Sequence, residues 1–404
     1  MSSSSFPDEK FRWGMLLSDT RYRGTSLQVI TFIVFVAVFF WLADNTLKNL
    51  ALMGKDVSFD FLWIRAGYDI NQRLIPYTND STHAMAALVG ILNTLLCAFV
   101  GCIIATLLGV FVGILRLSKN WIIAKLMAVY IEGFRNVPVL LWIVMVFALL
   151  TEFTPAPKAF KGTNPDATMF LFDSVAITNR GTYFPAPIWG DGSAWLAIVF
   201  VLSVMTVLMF RRHAKKVKLS TGKNLPTFWI SLLILIIPVV AFYFFLGKPV
   251  TLNYPYLKGF NFKEGIHLRN SFIALTLALA LYTSAFIAEI VRAGILAISK
   301  GQTEAAASLG MRPNKIMSLI ILPQALRVII PPLISNYLNL TKNSSLAIAV
   351  GYMDVRGTLG GITLNQTGRE LESMLLLMGF YLCVSLLISS VINFYNRSFQ
   401  IVVR

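Results

Sequence analysis

The side chains of this chain that could do chemistry are few, and most interrupt apolar sequence. Glu132 and Arg135 stand three apart in IEGFRNVP, and Glu289 and Arg292 stand three apart in AEIVRAG. At that spacing on a helix a carboxylate and a guanidinium can pair, which lowers the cost of carrying either charge toward hydrocarbon. Asn336, Asn339 and Asn343 follow one another at steps of three and four, with Lys342, Ser344 and Ser345 alongside. Asn93 and Thr94 lie near the start of another apolar run. Groups of this kind bind and orient a polar solute; they are not a set for breaking bonds. No G-x-x-x-x-G-K-[ST] phosphate loop occurs, since Gly222-Lys223-Asn224 lacks the first glycine and the hydroxyl, and there is no HExxH, Cys/His cluster or nucleophile elbow. The expectation is a chain that is not an enzyme, holds no metal or cofactor of its own and cannot hydrolyse ATP unaided.

Each polar group has a structural reading beside the functional one. Glu289 and Arg292 read as a self-neutralised anchor at the cytoplasmic end of a span. Glu132 and Arg135 read either that way or as the two signs that a zwitterion needs, next to a backbone break at Pro138. The Asn336, Asn339 and Asn343 face, behind Pro323, Pro331 and Pro332, must meet protein or a water-filled cavity, because unpaired polar groups in hydrocarbon are expensive. It either lines a path or joins helices. Asn93 heads a ridge of Cys97, Gly101, Ala105, Gly109 and Gly113 at steps of four, which lets another helix come close. The candidate substrate path is therefore Asn93, Thr94, Glu132, Arg135, Asn336, Asn339, Lys342, Asn343 and Ser344.

The elements that must position these residues are membrane helices. The chain has 404 residues, 56% hydrophobic and 13% charged, with a mean hydropathy of +0.69, which indicates an all-α polytopic membrane protein. Apolar runs long enough to cross occur at roughly 27–43, 86–115, 124–150, 194–210, 227–246, 270–291, 325–350 and 371–394, making about eight spans. The net charge of +16 does not point to nucleic acid, because its Lys and Arg gather in short stretches beside apolar runs. Arg116, Lys119 and Lys125 follow the second span, Arg211, Arg212, Lys215, Lys216, Lys218 and Lys223 the fourth, and Arg292, Lys300, Arg312 and Lys315 the sixth. Together with Lys10, Arg12, Arg21, Arg23, Arg397 and Arg404 they place both termini in the cytoplasm. The first run has no cleavage site and reads as an uncleaved span. Cys97, Cys102 and Cys383 lie inside apolar runs and indicate no disulfide framework. The opposite-side segments carry Trp63, Tyr68, Trp189 and Tyr254, which suit an interfacial belt or a docking partner.

The remaining polar stretch, Ser299 to Pro323, lies on the cytoplasmic side. Ser299 precedes Gln302 at capping-box spacing, Glu304 is placed in the first turn, Gly310 can end a helix and Pro313 can begin the next. A helix of about two turns is unstable alone and needs a surface to lie on. Physics alone leaves it as a well-capped loop helix. The residues Glu304-Ala305-Ala306, Gly310, Ile321 and Leu322-Pro323, with Tyr282 to Ala306, NTLLCAFVG and FRNVPVLLWI, resemble the EAA loop and flanking spans of polar amino-acid permease subunits of ATP-binding-cassette (ABC) importers. The resemblance covers roughly 84–150 and 268–396, and the added length is similar to the longer permease subunits of general L-amino-acid importers of Gram-negative bacteria. One motif departs from the family pattern, with Lys342-Asn343-Ser344-Ser345-Leu346 where Lys is usually followed by Thr-Ser-Leu.

That resemblance implies a type I ABC importer permease fold with a five-helix core, in the bacterial inner membrane. It implies that Gly301, Glu304, Ala305, Ala306, Gly310, Leu322 and Pro323 couple to a separate ATPase, which would bind the ATP and Mg. It further implies a dimer of ATPase subunits, a second permease subunit that is a paralogue or identical, and a periplasmic amino-acid-binding protein. The expected organisation is 1–83 (tail, first span, periplasmic segment), 84–150 (first part of the core), 151–267 (inserted loops and two extra spans) and 268–404 (second part, with the coupling loop at 299–323). An ion-gradient-driven secondary amino-acid transporter is the alternative, and it would need a titratable site at the midplane, for which Glu132 and Glu289 are the nearest candidates. A membrane scaffold without transport would leave the Asn-rich face without a use.

Overall fold

The computed structural model describes residues 19–162, 164–222 and 225–399. Lys10, Arg12, Lys223 and Arg404, used above to orient the chain, lie outside the described residues. Thirteen helices among these residues account for most of the structure: α1 (Thr20–Leu52), α2 (His83–Arg116), α3 (Trp121–Asn136), α4 (Val139–Glu152), α5 (Ser193–Thr221), α6 (Thr227–Phe245), α7 (Asn270–Leu296), α8 (Lys300–Ser308), α9 (Pro313–Ile316), α10 (Leu322–Asn343), α11 (Val355–Gly357), α12 (Leu364–Thr367) and α13 (Glu370–Phe399). Among the described residues seven helical stretches are long and apolar enough to cross a membrane, or eight if α3 and α4, which meet at a bend of 106°, count as one span. The chain is a mostly helical, multi-pass membrane protein.

The third span was expected as one run at 124–150. It breaks because Pro138 supplies no N–H and holds Val137 extended, at φ −108° and ψ 134°, so the ladder stops at Asn136 and restarts at Val139.

The core forms where α2 and α7 lie against each other. Every member of the ridge Asn93, Cys97, Gly101, Ala105, Gly109 and Gly113 is buried. A Cβ on Gly109 would stand 2.6 Å from the Ile287 Cβ and 2.9 Å from the Ser284 carbonyl, and one on Gly113 would stand 2.7 Å from the Ala288 carbonyl. The two backbones come this close only because the ridge has no side chains there. Around this seam Ile143 of α4, Leu275, Leu279 and Ile287 of α7 and Leu340 of α10 make one apolar cluster.

The loops that flank the α5–α6 pair are not plain connections. Seven short strands occur among the described residues: β1 (Ala176–Thr178), β2 (Gly181–Phe184), β3 (Ala186–Trp189), β4 (Val250–Asn253), β5 (Tyr256–Lys258), β6 (Asn261–Lys263) and β7 (Ile266–Leu268). They pair in a nested order. β5 pairs with β6, β3 with β4 (Ala186 opposite Asn253, Trp189 opposite Val250), and β2 with β7 (Thr182 opposite Leu268). The α5–α6 hairpin is thus held, at the end where α5 starts and α6 finishes, by strands from both flanking loops, and Asn270, at the start of α7, donates to the carbonyls of Leu150 (3.2 Å) and Thr178 (3.3 Å) where this lobe meets the core. Sequence reading missed the strands because each has only three or four residues, too short for alternation to register.

α5 also runs farther than expected. The basic stretch after residue 210, read as a loop, continues the helix to Thr221, since Gly222, at φ +70°, is the first residue there able to stop it.

Candidate functional site

Three features could serve transport: a short helix at one end of the core, a polar face on α10 and a clasped segment between α10 and α13. The short helix, α8, starts after Ser299 as the sequence indicated, but the capping box does not form. Ser299 is extended and makes no side-chain cap; its carbonyl accepts from Gln302 N–H instead. Glu304, expected in the first turn, falls in the second because the helix begins at Lys300, so the macrodipole does little for it. At the other end Met311 N–H bonds the Ala306 carbonyl and Gly310 N–H the Ala307 carbonyl, with Gly310 at φ +73°. These are the two bonds of a Schellman stop. Pro313 then opens α9, and a π-helical turn, Met317–Ile321, leads into α10.

Within α8 only Ala306 is buried, at 2% exposure. Gly301, Glu304, Ala305, Gly310, Leu322 and Pro323 are all exposed, and Leu309 is 81% exposed. A nine-residue rod with one buried side chain has little to hold it against water. Behind it, Glu289 and Arg292 form the expected pair, with Arg292 Nε donating to both carboxylate oxygens at 3.1 and 3.0 Å.

Glu132 and Arg135 do not pair. Asn136 Nδ2 donates to Glu132 at 3.3 Å, while the Arg135 guanidinium sits 5.2 Å above the Phe286 ring. Both residues are exposed. The bend at Pro138 sets the end of α3 beside mid-α7: Tyr130 donates to the Leu281 carbonyl at 3.1 Å and lies 2.7 Å from Ser284 Oγ. The two charges therefore stand beside the middle of α7 and not at its C-terminal end.

On α10 the helix runs unbroken through Pro331 and Pro332, and it ends at Asn343. Asn336 donates its side-chain amide back to the Pro332 carbonyl, one turn earlier, at 2.9 Å. Asn339 and Lys342 are exposed and make no hydrogen bond or ion pair among the described residues. Asn343 is half-buried. Ser344 is buried and donates to the Thr341 carbonyl at 2.7 Å, so it serves the helix end. The opposite face of α10 meets the core through Leu340 against Gly101 and through Tyr337, whose hydroxyl lies 2.6 Å from Thr106 Oγ1. An unpaired amide and ammonium on the face turned away from the core need either solvent or another subunit.

Asn93 and Thr94 have a different use. Asn93 Nδ2 donates to the carbonyls of Gln72 (2.7 Å) and Met353 (2.8 Å), and the Tyr352 hydroxyl donates to the Asn93 carbonyl. Thr94 Oγ1 accepts from Val355 N–H at 3.0 Å and donates to the Gly90 carbonyl. Gly90 completes the clasp, since a Cβ there would stand 2.8 Å from the Asp354 carbonyl. Asp354 is buried, caps α11 by accepting from Gly357 N–H at 2.8 Å, and keeps its second oxygen unpartnered. A second π-helical turn, Thr358–Thr363, follows, with Thr363 Oγ1 3.0 Å from His83 Nδ1 and 3.3 Å from the Tyr68 hydroxyl. Residues 344–368 are thus a folded segment clasped to α2. The run GYMDVRGTLGG, with its glycines and a lone carboxylate, carried that signal in the sequence.

Residues 216–401 match the family described as "Binding-protein-dependent transport system inner membrane component". The chain is 52% identical over 99% of its length, and 99% of the other, to the glutamate/glutamine/aspartate/asparagine transport system permease protein BztB of Rhodobacter capsulatus. It is 42% identical to the general L-amino acid transport system permease protein AapQ of Rhizobium johnstonii, covering 96% of this chain and 94% of that one. It is also 42% identical to the putative amino-acid ABC transporter permease protein YhdX of Escherichia coli, over 95% of each. A solved chain titled as an amino acid ABC transporter with histidines superposes with a TM-score of 0.45 at 20% identity, covering 78% of this chain and 95% of its own. With 42–52% identity to these permease proteins over nearly the whole of each chain, the chain belongs to the family of membrane permease components of amino-acid ABC transport systems.

Proposed function

We propose that this permease imports polar L-amino acids and is driven by a separate ATPase that grips α8. The observation that carries the reading is α8 itself, a nine-residue helix with a single buried side chain, presented at one end of the bundle between two spans. Each of two permease subunits would offer one such helix to one subunit of an ATPase dimer, which holds the ATP and Mg. Closure of the ATPase would move α8 and, through the π turn at Met317–Ile321, tilt α10. A binding protein on the opposite side would deliver the amino acid, and both termini would face the cytoplasm. Polar L-amino acids are the proposed cargo because BztB and AapQ carry such names.

In this reading Gly301, Glu304, Ala305, Ala306, Gly310, Leu322 and Pro323 form the coupling surface, and Asn336, Asn339, Lys342 and Asn343 line the path with Glu132 and Arg135. Asn93, Thr94 and Ser344 hold its wall. The unpaired Asn339 and Lys342 favour a second permease subunit beside α10, of the same or a paralogous kind. The test is Glu304→Lys together with Gly310→Val, the latter straining the left-handed residue that ends α8. Both are expected to abolish uptake and copurification of the ATPase while the subunit still inserts. Normal copurification with both variants sinks the assignment.

A further inference from the structure

The α5–α6 hairpin carries a feature that transport does not use. α5 has 29 residues, about 43 Å at 1.5 Å per residue, which exceeds the hydrocarbon thickness by more than 10 Å. Its apolar part ends at Phe210, and its last turns carry Arg211, Arg212, Lys215, Lys216 and Lys218. No Asp or Glu occurs from residue 192 to 263. Among the described residues none of these five cations has an ion pair. Three of them, Arg211, Lys215 and Lys218, fall on one face and line a crevice of about 380 Å³ with Ala214, Leu225 and Thr227.

The crevice is built. Ala214 is buried against the neighbouring helix, and Arg211 Nε donates to Ser231 Oγ of α6 at 3.4 Å, with Ser231 itself buried. The first turn of α6 opens beside it without a capping side chain, so its free N–H groups add positive potential. Its depth is set from both sides. Arg211 directly follows the apolar run of α5, and Phe228 and Trp229, both about two-thirds exposed, stand in the first turn of α6 where aromatic side chains mark the headgroup level. A concentrated, unpaired positive face at that depth, between two spans, matches a phosphodiester whose acyl chains continue along the apolar helices.

We propose that this crevice binds the headgroup of an anionic phospholipid. Arg211 offers a planar pair of donors to the phosphate while Lys215 and Lys218 supply point charges, and the hairpin, which packs on itself and is tied to the core at its outer end by strands, gains a second tie at its inner end through the lipid. The proposal is independent of how α8 is driven.

The experiment uses the full-length permease with the subunits that copurify with it, reconstituted in nanodiscs of phosphatidylglycerol mixed with phosphatidylcholine, and reads retained phosphatidylglycerol by native mass spectrometry. The triple variant R211Q/K215Q/K218Q is expected to lower retention at least about tenfold, and R212Q/K216Q, on the same helix but outside the crevice, less than about twofold. Equal losses in both variants overturn the proposal in favour of a diffuse field. Displacement of the lipid by millimolar inorganic phosphate overturns it in favour of a free-anion site. Loss of a copurifying subunit with lipid retention unchanged overturns it in favour of an acidic protein partner. Lys218→Gln alone keeps the test decisive should the triple variant fail to insert: it is expected to lower retention about threefold, and unchanged retention refutes the site.

Discussion

Replacing Asn93 by Ala distinguishes a residue that clasps two segments together from one that touches cargo. Asn93 is 1% exposed, and its amide satisfies two main-chain carbonyls, of Gln72 and Met353, from segments far apart in sequence. Removing it leaves both acceptors without this donor in a site that water does not reach. Each such loss costs about 1–3 kcal/mol, so the substitution is expected to destabilise the subunit by about 2–5 kcal/mol. The damage should concentrate where the 344–368 segment meets α2, because the Asn93 amide holds Met353 there, while Tyr352 on the Asn93 main-chain carbonyl and Val355 on Thr94 keep their bonds. The assay is thermal unfolding of the purified assembly alongside uptake kinetics in reconstituted vesicles. The expected outcome is a clear loss of thermal stability and of maximal uptake rate, with the KM for the amino acid changed by less than about twofold. Thr94→Ser, which keeps the acceptor for Val355 N–H, should behave as the parent, and Thr94→Val should lose about 1–3 kcal/mol. A KM raised tenfold or more by Asn93→Ala, at unchanged melting temperature, would refute this reasoning.

Gly109→Ala should destabilise the α2–α7 seam by about 1–3 kcal/mol despite the better helix propensity of Ala, because the new methyl meets Ile287 at 2.6 Å. Gly133→Ala, where nothing lies within 4 Å, should be neutral or mildly stabilising, and the reverse order of the two in a denaturation series would count against the packing account. Asn339→Ala and Lys342→Gln remove exposed groups without internal partners, so melting should not change while uptake falls about tenfold; unaltered uptake in vesicles would exclude both from the path. In the strand lobe His267 stacks on Tyr183 at 4.2 Å, and burial holds its imidazole below the ordinary 6.5, helped by Arg269 and opposed by its bond to the Arg180 carbonyl. A base whose folded pKa is depressed contributes stability that is complete above the unfolded value and is lost as pH falls below it. Backbone hydrogen exchange across 181–184 should therefore speed up as pH is lowered below about 6.5, after correction for intrinsic rates, and His267→Gln should flatten that dependence.

Patterns that repeat along the chain were legible in advance. Apolar run length located the membrane helices, and the stop at Gly310 and the start at Pro313 framed α8 because a left-handed residue and a missing N–H act locally. The Glu289–Arg292 pair was readable for the same reason, since i and i+3 on one helix meet whatever surrounds them. Glu132 and Arg135 have the same spacing and did not pair, because the bend after Asn136 gave Arg135 an aromatic face to lie on and left Glu132 to Asn136. The nested strands escaped notice because each is three or four residues long and its partner can stand more than sixty residues away, as β3 does from β4.

The sequence by itself determined that this chain is a multi-pass membrane protein, that it carries no phosphate-binding loop, and that a short polar interruption with its own start and stop lies between two late spans. Those properties follow from composition and from interactions that reach no more than four or five residues. Only the tertiary structure decided what Asn93 and Thr94 do, because a buried amide is defined by the carbonyls that face it, and two of these come from residues 72 and 353. The same holds for the unpaired face of Asn339 and Lys342 and for the crevice beside Arg211. A polar side chain is a ligand, a clasp or a free charge according to which distant groups the fold sets within 3 Å of it, and contacts of that kind are properties of assembled helices.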